Sequence, residues 1–276
     1  MSAETGLNTI RDKLLSKSDK TVFVIYRGYN YDIDNLEGLH LKMMIDSSTL
    51  EQMKYSYIEV EDINDEQIKS IDITKAVPIG DIGFVRKFIE RYLGLEYPSP
   101  IEIPKVMRNE SYVGREYKIV DKEELKKGNE PFSFFKYCSK PKVQSFISCL
   151  DTEKADKILD GLWVVSEYVE IASEYRVICL NDAIEGVQWY NGGVEIFPDI
   201  AVVKQILKDY RTKVSKISNA ITIDVAVTKD GRTILLEIHT FSSCGTYGYI
   251  DRNLVNLYKE GYEYIKNGGI ELINGE

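Results

Sequence analysis

An α+β fold is what this sequence predicts, and three observations carry it. From Phe132 onward the chain is dense in short apolar runs, several with period-two alternation, separated by turn residues. That is the pattern of consecutive antiparallel strands. Only two helical-period segments interrupt those strands, Ile200–Tyr210 and Leu254–Ile265. The amino-terminal part instead holds a strand, a glycine turn and a helix in succession, an α/β unit.

The elements follow in order. Thr21–Tyr26 (TVFVIY) is an apolar run of the buried-strand type, and Tyr55–Val60 is a second strand. Between them, Arg27–Gln52 is Tyr- and Asp-rich and reads as irregular. Ala76–Ile79 is a strand ending at Gly80. Asp81 is a good N-cap for a helix in which Phe84, Val85, Phe88, Ile89, Tyr92 and Leu93 recur at helical spacing, with Gly94 as its stop. Glu96–Pro104 carries prolines at 98, 100 and 104 and reads as a linker. Beyond it, Phe132–Tyr137 and Val143–Cys149 flank a Ser139–Pro141 turn. Leu162–Val169, Tyr175–Leu180 and Ala183–Tyr190 follow as strands, and Ile200–Tyr210 as an amphipathic helix with Val203, Ile206 and Leu207 on one face. Leu254–Ile265 is a closing helix ended by Gly268.

Bulk properties narrow the function. Charged residues make up 29% and hydrophobic residues 43% of the 276, an ordinary globular composition. A formal net charge of -9 argues against nonspecific nucleic-acid binding. No apolar leader and no membrane-length run is visible, so a cytoplasmic protein without a membrane partner is expected. The four cysteines, at 138, 149, 179 and 244, form no C-x-x-C pair and read as reduced thiols. With only His40 and His239, a histidine-rich metal centre is excluded, and no Ser/Cys–His nucleophile pair is marked.

The richest stretch is Ile221–Thr240, ITIDVAVTKDGRTILLEIHT. It reads as a β-hairpin with Asp230-Gly231 as a two-residue type I′ turn. That turn sets Lys229 against Arg232 and Asp224 opposite Glu237. Ile221, Ile223, Val225 and Val227 then share an apolar face with Ile234, Leu236 and Ile238. Thr222, Asp224 and Ala226 share the other with Leu235, Glu237 and His239. Facing acids repel. A cation between them resolves the conflict, and two hard oxygen ligands suit Mg²⁺. Without one, removal of either charge is expected to leave the fold intact or slightly more stable. The plain alternative is a solvated face that happens to carry two acids.

Other candidates are individually weaker. Lys136 ends the apolar run Phe134-Phe135, and Lys142 follows across a turn; two ammonium groups on facing strands can grip a polyphosphate, although lysines beside turns are common. Glu174 and Arg176 share a strand face, where an acid can accept ribose hydroxyls beside a guanidinium that can fork a phosphate, or the two can form an ordinary surface ion pair. Tyrosine, at 19 residues, is read as packing.

Order adds what the parts lack. The chain runs VPIGDIGFVRKF, PFSFFKY, Lys142, VSEYVE, EYR and then DVAV…LLEIH. From about Val77 onward this succession resembles the ATP-grasp superfamily, more narrowly the small phage- and bacterium-associated ATP-grasp proteins with a short amino-terminal lobe. The resemblance implies an ATP-grasp fold, with residues 1–103 as a small α/β lobe and 104–276 as two α+β lobes clasping ATP. It implies Lys136 and Lys142 on phosphates, main-chain groups of Glu167 and Val169 on adenine with Tyr168 packed nearby, and Glu174 on ribose. Arg176 falls on phosphate or the acyl intermediate, so Arg176 and Lys142 become the catalytic pair. Asp224 and Glu237 become Mg²⁺ ligands. His239 stands where the family usually carries Asn, as a ligand or a neighbour of one. The phosphate lid, glycine-rich in many members, has no glycine in Ser139–Ser148. The implied activity is ATP- and Mg²⁺-dependent ligation of a small-molecule or peptide carboxylate to an amine, or to a thiol, through an acyl phosphate. A phosphotransferase and a noncatalytic nucleotide-binding protein are the alternatives on the same scaffold.

Overall fold

The computed structural model describes residues 20–27, 36–95, 97, 103–127, 134–138, 145–147, 159–215 and 217–269. The chain divides into two compact units, Met1–Tyr97 with Phe241–Lys266, and Pro98–Thr240 with Asn267–Glu276. The closing helix, expected within the second domain, therefore belongs to the amino-terminal unit.

That unit is built on a parallel sheet of order β2-β1-β3, with β1 at Thr21–Tyr26, β2 at Tyr55–Val60 and β3 at Ala76–Ile79. The central β1 is an unbroken apolar run because both its faces are covered, and Phe23, Val24 and Ile25 are buried. Asp81 caps the following helix, Ile82–Phe88, by accepting from the Phe84 N–H at 2.8 Å. A π-turn, Ile89–Leu93, extends it to Gly94, whose φ of 65° is the left-handed stop that a glycine supplies. The segment expected to be irregular holds two helices, Leu36–Asp46 and Thr49–Lys54. Gly38 obscured the first. A Cβ there would come within 2.7 Å of Ile25 Cγ2, so the glycine serves close packing on β1 and does not break the helix. The helix Leu254–Lys266 joins this unit through Tyr55 Oη, which donates to Asn256 at 3.0 Å, and through Gly261, which lies flush against the Phe241 carbonyl.

On the edge of this sheet Glu59 accepts from Arg27 Nη2 at 2.9 Å and from Lys42 Nζ at 2.7 Å. The Arg27 and Lys42 hydrogen bonds hold its carboxyl down at about 2. A depressed folded-state value means stability that is complete above the unfolded carboxylate range and lost as pH falls towards 2. Glu59→Gln is expected to lower stability by about 1 kcal/mol at pH 7, since Arg27 is half exposed, and by nothing measurable near pH 2. Melting curves of both proteins at the two pH values check this; an equal deficit at both would contradict it.

The second unit holds two four-stranded sheets. One has order β4-β7-β5-β6, from Tyr117–Asp121, Leu162–Ser166, Phe134–Tyr137 and Ser145–Ile147. The other has order β11-β10-β8-β9, from Thr233–Thr240, Ala220–Thr228, Ile171–Leu180 and Ala183–Gly192. Every pairing in both is antiparallel. Period-two alternation sends Tyr175, Val177, Ile221, Ile223 and Ile238 to the core. There the helix Ile200–Lys213 covers them with Val203, Ile206 and Leu207, starting at Asp199, which caps the Ala201 N–H at 2.8 Å. Trp163, Val165, Phe135 and Tyr137 form the separate core of the first sheet. Residues 167–170 connect β7 of one sheet to β8 of the other. Among the described residues no helix is long and apolar enough to cross a membrane, and Cys138, Cys179 and Cys244 are free thiols.

The hairpin corrects one expectation. Its turn has three residues, not two: Thr228 N–H donates to the Arg232 carbonyl at 2.9 Å, and the Gly231 N–H to the Thr228 carbonyl at 2.9 Å. Gly231 alone takes positive φ, 87°. This is a type I turn followed by a left-handed glycine. The change slips the ladder by one residue, so Val225 faces Leu235 and Ala226 faces Ile234. A bulge at Leu236 then slips it back, and Asp224 faces Glu237 after all. Leu235, not Leu236, joins the core.

Candidate active site

Two irregularities cancelling leaves one polar row across the second sheet. Gln188 of β9, Arg176 of β8, Asp224 of β10 and Glu237 of β11 are ladder partners in sequence. Arg176 and Asp224, 8% and 3% exposed, form a two-pronged ion pair, Nε to Oδ1 at 2.8 Å and Nη2 to Oδ2 at 2.7 Å. Such fork-to-carboxylate pairing is the strongest side-chain geometry available to these groups.

Glu237 is 28% exposed and lies between two cationic or potentially cationic partners. Lys136, from β5 of the other sheet, donates to its Oε1, and His239 Nε2 lies 2.8 Å from Oε2. Burial alone would raise the Glu237 carboxyl, but hydrogen bonds and charge from His239 and Lys136 outweigh it and hold the group well below the usual carboxylate range. One ligand atom from each of Asp224, Glu237 and His239 falls within 4.8 Å of the others. Thr222, the ladder partner of His239, is fully buried with its hydroxyl unbonded.

This donor set fits a hard divalent cation: two carboxylates and one imidazole converge, and an orphaned hydroxyl lies alongside. Arg176 and Lys136 balance the two carboxylates here. A cation entering the cluster competes with them, and a polyphosphate would give both a new anion to hold.

The remaining residues singled out in the sequence take their places around the row. Glu174 shares the inward face of β8 and accepts from Asn191 Nδ2 at 2.8 Å. In the β7–β8 connection, the Glu167 N–H donates to the Glu116 carbonyl at 3.2 Å, and its carboxylate accepts from the Glu116 N–H at 3.0 Å. That amide is committed to protein; the Glu167 carbonyl accepts from Ser166 Oγ at 3.1 Å. Tyr168 is half exposed, and the far end of the connection is clipped to the hairpin turn by Lys229 N–H on the Glu170 carbonyl at 2.9 Å. Val169, between them, is partly buried. Lys142 and the proposed lid at 139–144 and 148 lie outside the described residues.

Sequence reasoning missed Gln188 and Tyr190. Burial, with Asp224 and Glu174 beside it, pushes the Tyr190 phenol up. Tyr190 stands at the bulge where Glu174 pairs with Asn191 and Tyr175 with Trp189. No spacing rule places a bulge residue, and reading all tyrosines as packing hid it.

Two antiparallel sheets with a polar row on one and a lysine reaching from the other define an ATP-grasp site. A family model for an ATP-grasp domain, the second family of its clade, matches residues 112–257, more than half of the chain, and the chain belongs to that family. ATP is the nucleotide of the family's domain. Solved structures agree on the fold. D-alanyl-alanine synthetase A from Vibrio cholerae O1 biovar eltor is 12% identical, with 89% of this chain and 99% of that chain covered at a TM-score of 0.55. D-alanine–D-alanine ligase from Bacillus anthracis, complexed with ATP, is 16% identical, with 90% and 99% covered at 0.51. The ATP-grasp ligase PsnB, complexed with minimal precursor, is 12% identical, with 89% and 100% covered at 0.51. No curated protein matches the chain by sequence.

Proposed function

We propose that this protein is an ATP- and Mg²⁺-dependent ligase that joins a carboxylate to an amine through an acyl phosphate. The observation that carries the reading is the charge-balanced cluster, in which Asp224 and Glu237 face each other and each holds a cation of the kind that grips phosphate. In the proposed reaction a substrate carboxylate oxygen attacks the γ-phosphorus and the bond to ADP breaks. The amine nitrogen then attacks the acyl carbon, inorganic phosphate leaves, and the amine's proton passes to solvent. No protein nucleophile is needed. Arg176, Lys136 and Lys142 act as fixed positive charges along the migrating phosphoryl group. Main-chain groups near Glu167 and Val169 orient the adenine, with Tyr168 beside it and Glu174 on the ribose. Bound Mg²⁺, held by Asp224, Glu237 and His239, would neutralise phosphate charge. The fold neighbours named above as ligases include two that join alanine units and one bound to a precursor, so amino acids and peptides are the acceptor pools to try first.

Hydroxylamine tests this directly. With ATP, Mg²⁺ and a carboxylate pool, it should intercept the acyl phosphate and give a hydroxamate together with ADP. ADP formed with a phosphorylated product that hydroxylamine does not attack would indicate a phosphotransferase instead, and no ADP with any pool would reject both.

His239 gives a finer prediction. Asn offers an oxygen in place of the imidazole, so His239→Asn should retain turnover within about tenfold, whereas His239→Leu should lose about a hundredfold or more, as removal of a metal-site partner does. Steady-state ADP release by the two variants checks this; equal losses would mean that His239 does not act as a donor.

A further inference from the structure

Arg115 is a cation of this site that no carboxylate holds among the described residues. It lies on no strand or helix, two residues before β4, and among the described residues it makes no ion pair. Its Nη1 donates to the Val113 carbonyl at 2.8 Å, and its Nε reaches Ser166 Oγ at 3.4 Å. Its guanidinium carbon stands 5.8 Å from the Tyr117 ring centroid. Both oxygen partners are neutral. Lys136 and Arg176, by contrast, are each held by an acid of the cluster.

Ladder register places Arg115 on the inward face of its sheet. Ser166 pairs with Phe134 and Tyr117, and Val164 pairs with Lys136. Ser166 and Val164 are two residues apart on one strand and so share a face with Lys136, the side chain that reaches Glu237. The next residues after Ser166 are the proposed adenine connection. Glu237 acts on Arg115 from the opposite sheet.

A tight junction holds this position. Gly114 has φ 63°, and a Cβ there would meet Ile234 Cγ2 of β11 at 2.4 Å. Its carbonyl accepts from Arg232 Nη1 at 2.9 Å. On the other side of Arg115, Glu116 is bonded to Glu167 by two hydrogen bonds. Arg115 is thus fixed between the hairpin and the adenine connection. Keeping a partly desolvated charge on two neutral acceptors is costly for a purely structural strut. A guanidinium with unused donors suits the paired oxygens of a phosphate.

We propose that Arg115 grips the phosphate chain of the bound nucleotide at its adenine-proximal end. This rests on the ATP reading above and assigns a residue to it that no motif marked. Lys136 and Arg176 serve the far end, beside Asp224 and Glu237.

Dissociation constants for adenosine, AMP and ATP, measured in Mg²⁺-free buffer on the wild type, Arg115→Met and Arg115→Lys, test it. Arg115→Met should weaken AMP and ATP by about ten- to a hundredfold, the range of one charge-assisted hydrogen-bonded contact, and leave adenosine unchanged. Arg115→Lys, which keeps the charge without the fork, should fall between. Equal loss for adenosine and ATP, or no loss for either, would overturn the proposal and leave Arg115 a structural tie. A wild type that binds neither nucleotide nor nucleoside would overturn the ATP reading itself and this proposal with it. Should Arg115→Met fail to show a cooperative melt, Arg115→Gln, which retains donors for Val113 and Ser166, carries the same comparison.

Discussion

Asp224→Asn and Glu237→Gln are each expected to lower ATP turnover by about a hundred- to a thousandfold, the usual effect of removing one preorganised electrostatic group. Each should also cost stability. From sequence alone, relief of repulsion between facing acids predicts the opposite sign. In the structure that repulsion is already offset, because Asp224 is forked by Arg176 and Glu237 is held by Lys136 and His239. Neutralising either acid leaves its cation without a counter-charge, a loss of about 1–3 kcal/mol. The cost should be larger at Asp224, whose partner is nearly buried, than at Glu237, whose partners are about one quarter exposed. ADP release and denaturant melts of the two variants measure both effects. Near-normal turnover in either would remove the cluster from the reaction, and a stabilised Asp224→Asn would mean that the Arg176 pair is not formed in solution.

Arg176→Met should be the most destabilising single change at the site. It strands the Asp224 carboxylate, 3% exposed, without a counter-ion. Breaking a buried pair from one side typically costs about 3–5 kcal/mol. Replacing both partners is milder, since no charge is left behind, so Arg176→Met/Asp224→Asn should recover most of that loss while remaining inactive. A double-mutant cycle reads the coupling directly. Mg²⁺ supplies a second check: the freed carboxylate should bind it, so added Mg²⁺ should raise the melting temperature of Arg176→Met more than that of the wild type or the double variant. Additive single and double losses would contradict the pairing.

The sequence made some of this legible and hid the rest for identifiable reasons. Thr21–Tyr26, Tyr55–Val60 and Ala76–Ile79 were readable to the residue because each is an apolar run bounded by turn residues. Asp224 against Glu237 was also readable, yet the expected turn was wrong by one residue. The bulge at Leu236 compensated, and nothing in LLEIH signals which leucine is left out of the ladder. The helix Leu36–Asp46 was lost because Gly38, which allows close approach to Ile25, looks like a breaker when only local propensity is weighed. Which unit the helix Leu254–Lys266 packs in was invisible, since it depends on contacts between residues some two hundred positions apart, such as Tyr55 with Asn256. Pairing of Arg176 with Asp224 and of Lys136 with Glu237 was likewise beyond a strand-by-strand reading, because each joins strands that the chain order separates.

Titration of the protein with ATP in a calorimeter, with and without Mg²⁺, tests the central claim most directly. One saturable site is predicted, tightened by Mg²⁺, with the tightening lost in Glu237→Gln while metal-free ATP binding persists. At a hundredfold excess over Kd the nucleotide should also stabilise the fold by about 2.7 kcal/mol. Absence of saturable heat under both conditions, or an affinity that ignores Mg²⁺, would contradict a magnesium-dependent nucleotide site at Asp224 and Glu237.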